Sequence, residues 1–181
     1  MPILSERELA RRAAELEWLL CDVDGVLTDG GLYYDRKGSV MLRFNVRDGM
    51  GLKLAQIAGL RVGLISGRSA PAAEKRAAEL GLDAVHMGVA DKLTELEGFL
   101  ELHNTVPGRI AFVGDDVNDL VLLGRCGLSF CPADAVDEVK AVVHRVLATP
   151  GGRGAVREVV EILLRARGDW ETVFSRFTHD G

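Results

Sequence analysis

Short apolar runs that end in polar or glycine-rich turns recur along the chain, at Trp18–Cys21, Leu60–Ile65, Asp83–Met87, Arg109–Val113 and Gly127–Cys131. Between them, apolar positions return at helical spacing over roughly Arg47–Ala58, Ala70–Leu80, Asp91–His103 and Asp116–Arg125. Leu93, Leu96 and Leu100 keep one face of the third helix apolar, and Val156, Val159, Val160, Leu163 and Leu164 do the same near the end of the chain. Strands alternating with helices in this way predict an α/β fold: a doubly wound, mainly parallel, Rossmann-like sheet with right-handed crossovers.

One stretch breaks the alternation. Gly31–Asp35 and Val40–Val46 read as two strands joined by Arg36–Ser39, a β-hairpin inserted after the first strand and too small to be a cap domain. A helical pattern over Ser5–Leu16 precedes the first strand. The glycines around Arg153 separate the last helix from the body, which predicts a hinge or docking segment from about residue 150 to 181. The tail Asp169–Gly181 carries no legible function.

A chain of 181 residues that is 48% hydrophobic fits one domain with a sizeable core. Its net charge of −5 is built from interspersed signs, with no basic stripe for nucleic acid and no polybasic tail for a membrane, so neither partner is expected. Cys21, Cys126 and Cys131 form no CxxC pair and leave one cysteine over in any disulfide scheme, which suits a reducing cytosol. Charges interrupt the first twenty residues throughout, unlike a signal peptide or a membrane span. A cytoplasmic protein is expected.

In open α/β sheets, ligands bind beyond the carboxyl ends of the strands. Asp22-Val23-Asp24 follows the first apolar run, and the strand period of two puts both carboxylates on one side, with Gly25 allowing a sharp turn. A pair of turn-forming aspartates would look the same. The deciding feature is a second acidic group, Asp115, Asp116 and Asp119, after the run Ile110–Val113. Carboxylates gathered at two neighbouring strand ends repel one another unless some are protonated or a cation intervenes. With no histidine or cysteine in either group, magnesium is favoured over zinc.

Ser66-Gly67-Arg68 follows the strand Leu60–Ile65 and is read as opening the next helix, where amide groups and the Ser66 hydroxyl can meet phosphate oxygens or merely cap the helix. Lys92 and Arg68 both fall at predicted helix starts, where a cation opposes the dipole, so an anion is expected near each. For Arg68 that anion is either substrate or one of the site aspartates.

These pieces in this order, DxDG, Ser, Lys and GDDxND, resemble the motifs of the haloacid dehalogenase superfamily of phosphatases. The resemblance implies that Asp22 attacks phosphorus, Asp24 handles the leaving-group proton, and Ser66 and Lys92 hold the phosphoryl group. It also implies that Asp22, Asp115 and the Asp24 backbone carbonyl bind magnesium, with Asp116 and Asp119 completing the acidic shell. From Leu19 to Leu164 the chain further resembles the 3-deoxy-D-manno-octulosonate 8-phosphate phosphatases of Gram-negative bacteria, through CDVDGVLTDGGLYYDRKG, FNVRDGMGLKLA, LISGRSAPA, GVADKL, GDDVNDL and GGRGAVREV.

That family implies a small sugar-acid phosphate as substrate, on the way to lipopolysaccharide, and a homotetramer whose hairpins and C-terminal segments cover neighbouring sites. Gly67, Arg68, Arg47 and Arg153, the last from a neighbouring subunit, are then expected around the substrate. Two other readings stand beside it: a phosphatase of nine-carbon sialic-type acid 9-phosphates, and a non-catalytic binding protein on the same fold.

Overall fold

The computed structural model describes residues 4–178. The chain runs α1 (Glu6–Glu15), β1 (Trp18–Cys21), β2 (Tyr33–Tyr34), β3 (Val40–Met41), α2 (Val46–Ile57), β4 (Arg61–Ser66), α3 (Pro71–Leu80) and β5 (Ala84–Met87). It continues through α4 (Lys92–His103), β6 (Ile110–Val113), α5 (Leu120–Leu123), β7 (Leu128–Cys131), α6 (Asp137–Lys140), β8 (Arg145–Val146), α7 (Ala155–Arg167) and α8 (Trp170–Ser175). Six strands form one parallel sheet in the order β5-β4-β1-β6-β7-β8, a Rossmann-like doubly wound arrangement.

The four central strands, β1, β4, β6 and β7, are buried on both faces, and alternate side chains feed two cores. Leu19, Cys21, Val62, Leu64, Ala111 and Val113 pack with α1, α2, α3 and α7, whereas Trp18, Leu20, Ile65, Ile110 and Phe112 pack with α4, α5 and α6. Cys21 pairs in register with Leu64 of β4 and Val113 of β6. Asp22 therefore leaves the sheet level with the end of β6, while β4 runs on to Ser66.

Several expectations are corrected. The hairpin strands shrink to two residues each, β2 and β3, plus an isolated bridge from Thr28 to Phe44. Tyr33, Tyr34 and Met41 are more than half exposed, so this ribbon has no core of its own to lengthen it. The helix expected over Asp116–Arg125 is a 3-10 turn at Val117–Asp119 followed by the short α5. The elements α6 and β8 were not foreseen; the strand's two residues are exposed and show no alternation. In the expected docking segment, α7 buries Val156, Val159, Val160, Leu163 and Leu164 in its own chain's core, and α8 lies in the tail. Residues 179–181 of that tail lie outside the described residues.

Candidate active site

Asp22 continues from β1: its N–H donates to the Val113 carbonyl at 2.9 Å, locking the carboxylate beside the end of β6. Val23 is fully buried, and Asp24 emerges half-exposed on the cleft side. The chain then turns at Gly25 with φ +78°, and a Cβ there would lie 1.9 Å from Asp115 Oδ2, so only glycine lets the turn pass this carboxylate. The buried Thr28 hydroxyl ties the turn together. It accepts from the Gly25 and Gly30 amides and donates to the Val23 carbonyl, each at 3.3 Å.

After β6, Asp116 caps the 3-10 turn by accepting from Val117 N–H at 2.7 Å. This turn swings Asp119 fully inside, where its Oδ2 accepts from the Asp115 amide at 3.0 Å. The Lys92 ammonium arrives from the start of α4 and donates to Asp22 Oδ1 at 2.6 Å and Asp119 Oδ1 at 2.5 Å. These two carboxylates are the anions that offset its place at a helix N-terminus. Asp119 is thus a direct partner of Lys92.

Three carboxylates, those of Asp22, Asp115 and Asp119, bring oxygens within 4.8 Å of one another. Burial first, then the Asp119 charge, raises the Asp22 carboxyl well above the usual carboxylate range, against the pull of Lys92. Burial likewise pushes Asp115 up to about 8, helped by the charges of Asp22, Asp119 and Asp116. Burial also opposes the charge on Lys92, but Asp22 and Asp119 outweigh it and raise its pKa. One ammonium leaves this acidic group short of positive charge, and an all-oxygen donor set of this kind fits a hard divalent cation.

Ser66 is buried at the end of β4, and its hydroxyl accepts from Arg68 N–H at 3.4 Å. Helix α3 begins at Pro71, close to the start that the helical spacing over Ala70–Leu80 predicted, so Ser66-Gly67-Arg68 is a loop and does not open the helix as expected. The dipole argument for Arg68 therefore fails. Arg68 is placed by Asp24 instead, with Nε 2.7 Å from Oδ2 and a terminal nitrogen on Oδ1, and this contact raises the guanidinium's pKa.

An open cleft of about 750 Å³ gathers Asp22, Asp24, Ser66, Gly67, Arg68, Lys92, Asp115 and Asp116. It also takes in Asn118, which was not singled out although it sits inside the motif between Asp116 and Asp119. Arg47 and Arg153 are exposed and do not line this cleft. Among the described residues no helix is long and apolar enough to cross a membrane.

Residues 85–159 match the family model of haloacid dehalogenase-like hydrolases. The chain is 38% identical over 160 residues to the 3-deoxy-D-manno-octulosonate 8-phosphate phosphatase of Haemophilus influenzae, covering 88% of this chain and 89% of that protein. Among solved structures, that of a probable phosphatase from Pseudomonas syringae aligns with a TM-score of 0.93 at 35% identity, over 97% of this chain and 99% of the other. The 3-deoxy-D-manno-octulosonate 8-phosphate phosphatase of Moraxella catarrhalis, solved with a magnesium ion, a phosphate ion and the sugar acid, aligns with a TM-score of 0.91 at 32% identity, over 94% and 98%. With this similarity spanning nearly the whole chain, and the carboxylates and lysine gathered where the strands end, the chain is a phosphatase and belongs to the 3-deoxy-D-manno-octulosonate 8-phosphate phosphatase family of haloacid dehalogenase-like hydrolases.

Proposed function

We propose that the chain hydrolyses 3-deoxy-D-manno-octulosonate 8-phosphate to the free sugar acid and phosphate, in the cytoplasm, as a step toward lipopolysaccharide. Asp22 attacks phosphorus and becomes a phospho-aspartate as the P–O bond to the sugar breaks. Asp24 gives its proton to the departing alkoxide. Asp24 then takes a proton from the water that attacks phosphorus, returning Asp22 as a carboxylate and releasing phosphate.

Lys92, Ser66 and the Gly67 amide hold the phosphoryl oxygens. Asp22, Asp115 and the Asp24 carbonyl, with Asp116 and Asp119 around them, would hold magnesium, which would supply the rest of the positive charge that phosphoryl transfer demands. Both Asp24 oxygens accept from Arg68 in the structure, so proton transfer requires Arg68 to turn toward the substrate. Its planar fork suits the sugar acid's carboxylate, together with Arg47 or a neighbouring subunit's Arg153. The homotetramer expected of the family would bring such a neighbour to the open cleft.

The observation that carries the reading is the contact of Lys92 with Asp22 at 2.6 Å, one strand period from a second carboxylate, on the floor of an open cleft. A panel of sugar and sugar-acid phosphates compared by kcat/KM tests it. The eight-carbon acid phosphate should rank first. A higher value for a nine-carbon acid 9-phosphate, or equal values for neutral hexose phosphates, overturns the substrate assignment.

A further inference from the structure

Asp48 lies in the first turn of α2 and is 1% exposed, yet it belongs to none of the chemistry above. Its carboxylate reaches another helix. Oδ2 accepts from Gly154 N–H at 3.1 Å and Oδ1 from Arg157 N–H at 2.9 Å. Helix α7 starts at Ala155 behind Gly154, which has φ +110° and no side chain with which to cap the helix. Asp48 thus serves as an N-cap supplied from a different element, with its charge at the positive end of the α7 dipole.

The helix pair is built for this reach. Gly51, one turn after Asp48, faces Arg157 so closely that a Cβ would come within 2.9 Å of the Arg157 Cα. Asn45, the N-cap of α2, donates from its amide to the Gly152 carbonyl at 3.4 Å. Asn45 and Asp48 together hold Gly152 and Gly154 against the start of α2.

That loop presses on the catalytic turn. Gly152 N–H donates to the Val26 carbonyl at 2.9 Å, and Gly151 N–H is held by Asp134 at 2.9 Å. A Cβ at Gly151 would lie 1.8 Å from the Gly25 carbonyl oxygen, and one at Gly152 would lie 2.4 Å from Asp29 N. Residues 25–29 form the turn leading away from Asp24, and nothing softer than backbone separates them from the loop that Asp48 holds.

We propose that Asp48 is a positioning residue for the phosphatase reaction: by capping α7 from α2, it fixes the Gly151–Gly152 loop that sets the turn carrying Asp24. The proposal rests on the proton-transfer role of Asp24. Misplacing a catalytic group by about 1 Å is enough to lower a rate by about 10²-fold. That loss should fall on formation of the phospho-enzyme, the step that kcat/KM reports, when the leaving group departs as an alkoxide, and much less when p-nitrophenolate leaves without a proton; hydrolysis of the phospho-enzyme needs Asp24 with either ester.

The test compares Asp48→Ala, Asp48→Asn, Gly151→Ala and Asp24→Asn on 3-deoxy-D-manno-octulosonate 8-phosphate and p-nitrophenyl phosphate, with kcat, KM and melting temperature for each. Asp48→Ala should lower kcat/KM on the sugar acid by about 10- to 100-fold, and on the nitrophenyl ester severalfold less. Asp48→Asn, which keeps an acceptor oxygen, should recover part of the loss. Gly151→Ala disturbs the same link from its other end and carries the test if Asp48→Ala does not fold.

Equal losses of kcat/KM on the two esters, or unchanged kcat/KM in every folded Asp48 and Gly151 variant, overturn the positioning role. If Asp24→Asn itself fails to discriminate between the esters, the Asp24 assignment fails first. Discrimination by Asp24→Asn without any by the Asp48 and Gly151 variants refutes only the link.

Discussion

Arg68 grips Asp24 with two nitrogens, Nε at 2.7 Å from Oδ2 and a terminal nitrogen on Oδ1, so the two side chains most distinctive of the cleft mouth occupy each other. A substrate must compete with this pair. A carboxylate does so on equal chemical terms, whereas a sugar hydroxyl does not. Arg68→Ala should therefore lower kcat/KM for the sugar-acid phosphate by roughly ten- to a hundredfold, the loss of one charged hydrogen-bonded contact. Its effect on neutral phosphate esters should be much smaller. Equal losses for both would show that Arg68 serves Asp24 alone.

Asp22 and Asp119 share the Lys92 ammonium, which makes their replacements unequal. Asp22→Asn should abolish turnover while Lys92 keeps Asp119 as partner, so urea denaturation should give a stability near that of the wild type. Lys92→Met leaves the fully buried Asp119 without its cation. Breaking a buried pair in this way typically destabilises by about 3–5 kcal/mol, and the variant should be both inactive and visibly weaker in urea. A stable Lys92→Met would mean that the cation acts on substrate only.

Much of this arrangement was legible because two periods dominate it. The strand alternation placed Asp22 and Asp24 on one side, and the apolar runs Leu60–Ile65 and Ile110–Val113 put Ser66 and Asp115 at strand ends, as the structure has them. What was missed has three different causes. The apolar spacing over Ala70–Leu80 and Pro71 at the first helical position both mark where α3 starts, a local signal that the dipole argument for Arg68 overlooked. The Asp24–Arg68 pair spans 44 positions and the Asp48 cap over 100, and no spacing rule reaches that far. The hairpin failed as a strand prediction for another reason: its aromatic residues face solvent in the single chain, so alternation had no core to report.

That exposure leads to a prediction about assembly. Tyr33, Tyr34 and Met41 are 51%, 65% and 58% exposed on a ribbon of only two paired residues per strand, beside a cleft that opens to water. Only about 41 residues separate Asp24 from Ser66, and they are taken up by the turn after Asp24, the hairpin, α2 and most of β4, with no cap domain among them. A closed homo-oligomer through the hairpin, a tetramer on the family pattern, would cover both. Sedimentation should show it at micromolar concentration, and Tyr34→Glu with Met41→Glu should dissociate it and lower activity together. A wild type that is fully active as a monomer would refute this.

The last prediction concerns pH and the divalent cation. Burial and mutual repulsion raise the carboxyls of Asp22 and Asp115, the latter to about 8, above the value near 4 expected of an unfolded aspartate. Without a cation the native state therefore binds more protons than the unfolded state between these limits, so the slope of unfolding free energy against pH is negative. The stability these protons confer is fully present below about pH 4 and is lost as pH rises toward about 8. The chelated protein should melt at progressively lower temperature over that interval. Added magnesium replaces the protons as the source of positive charge, so it should stabilise more at pH 8 than at pH 5 and restore the activity that the chelator removes. Melting curves at the two pH values, with EDTA and with magnesium, measure both effects. A magnesium-induced shift that is the same at pH 5 and pH 8 would place the cation away from Asp22 and Asp115.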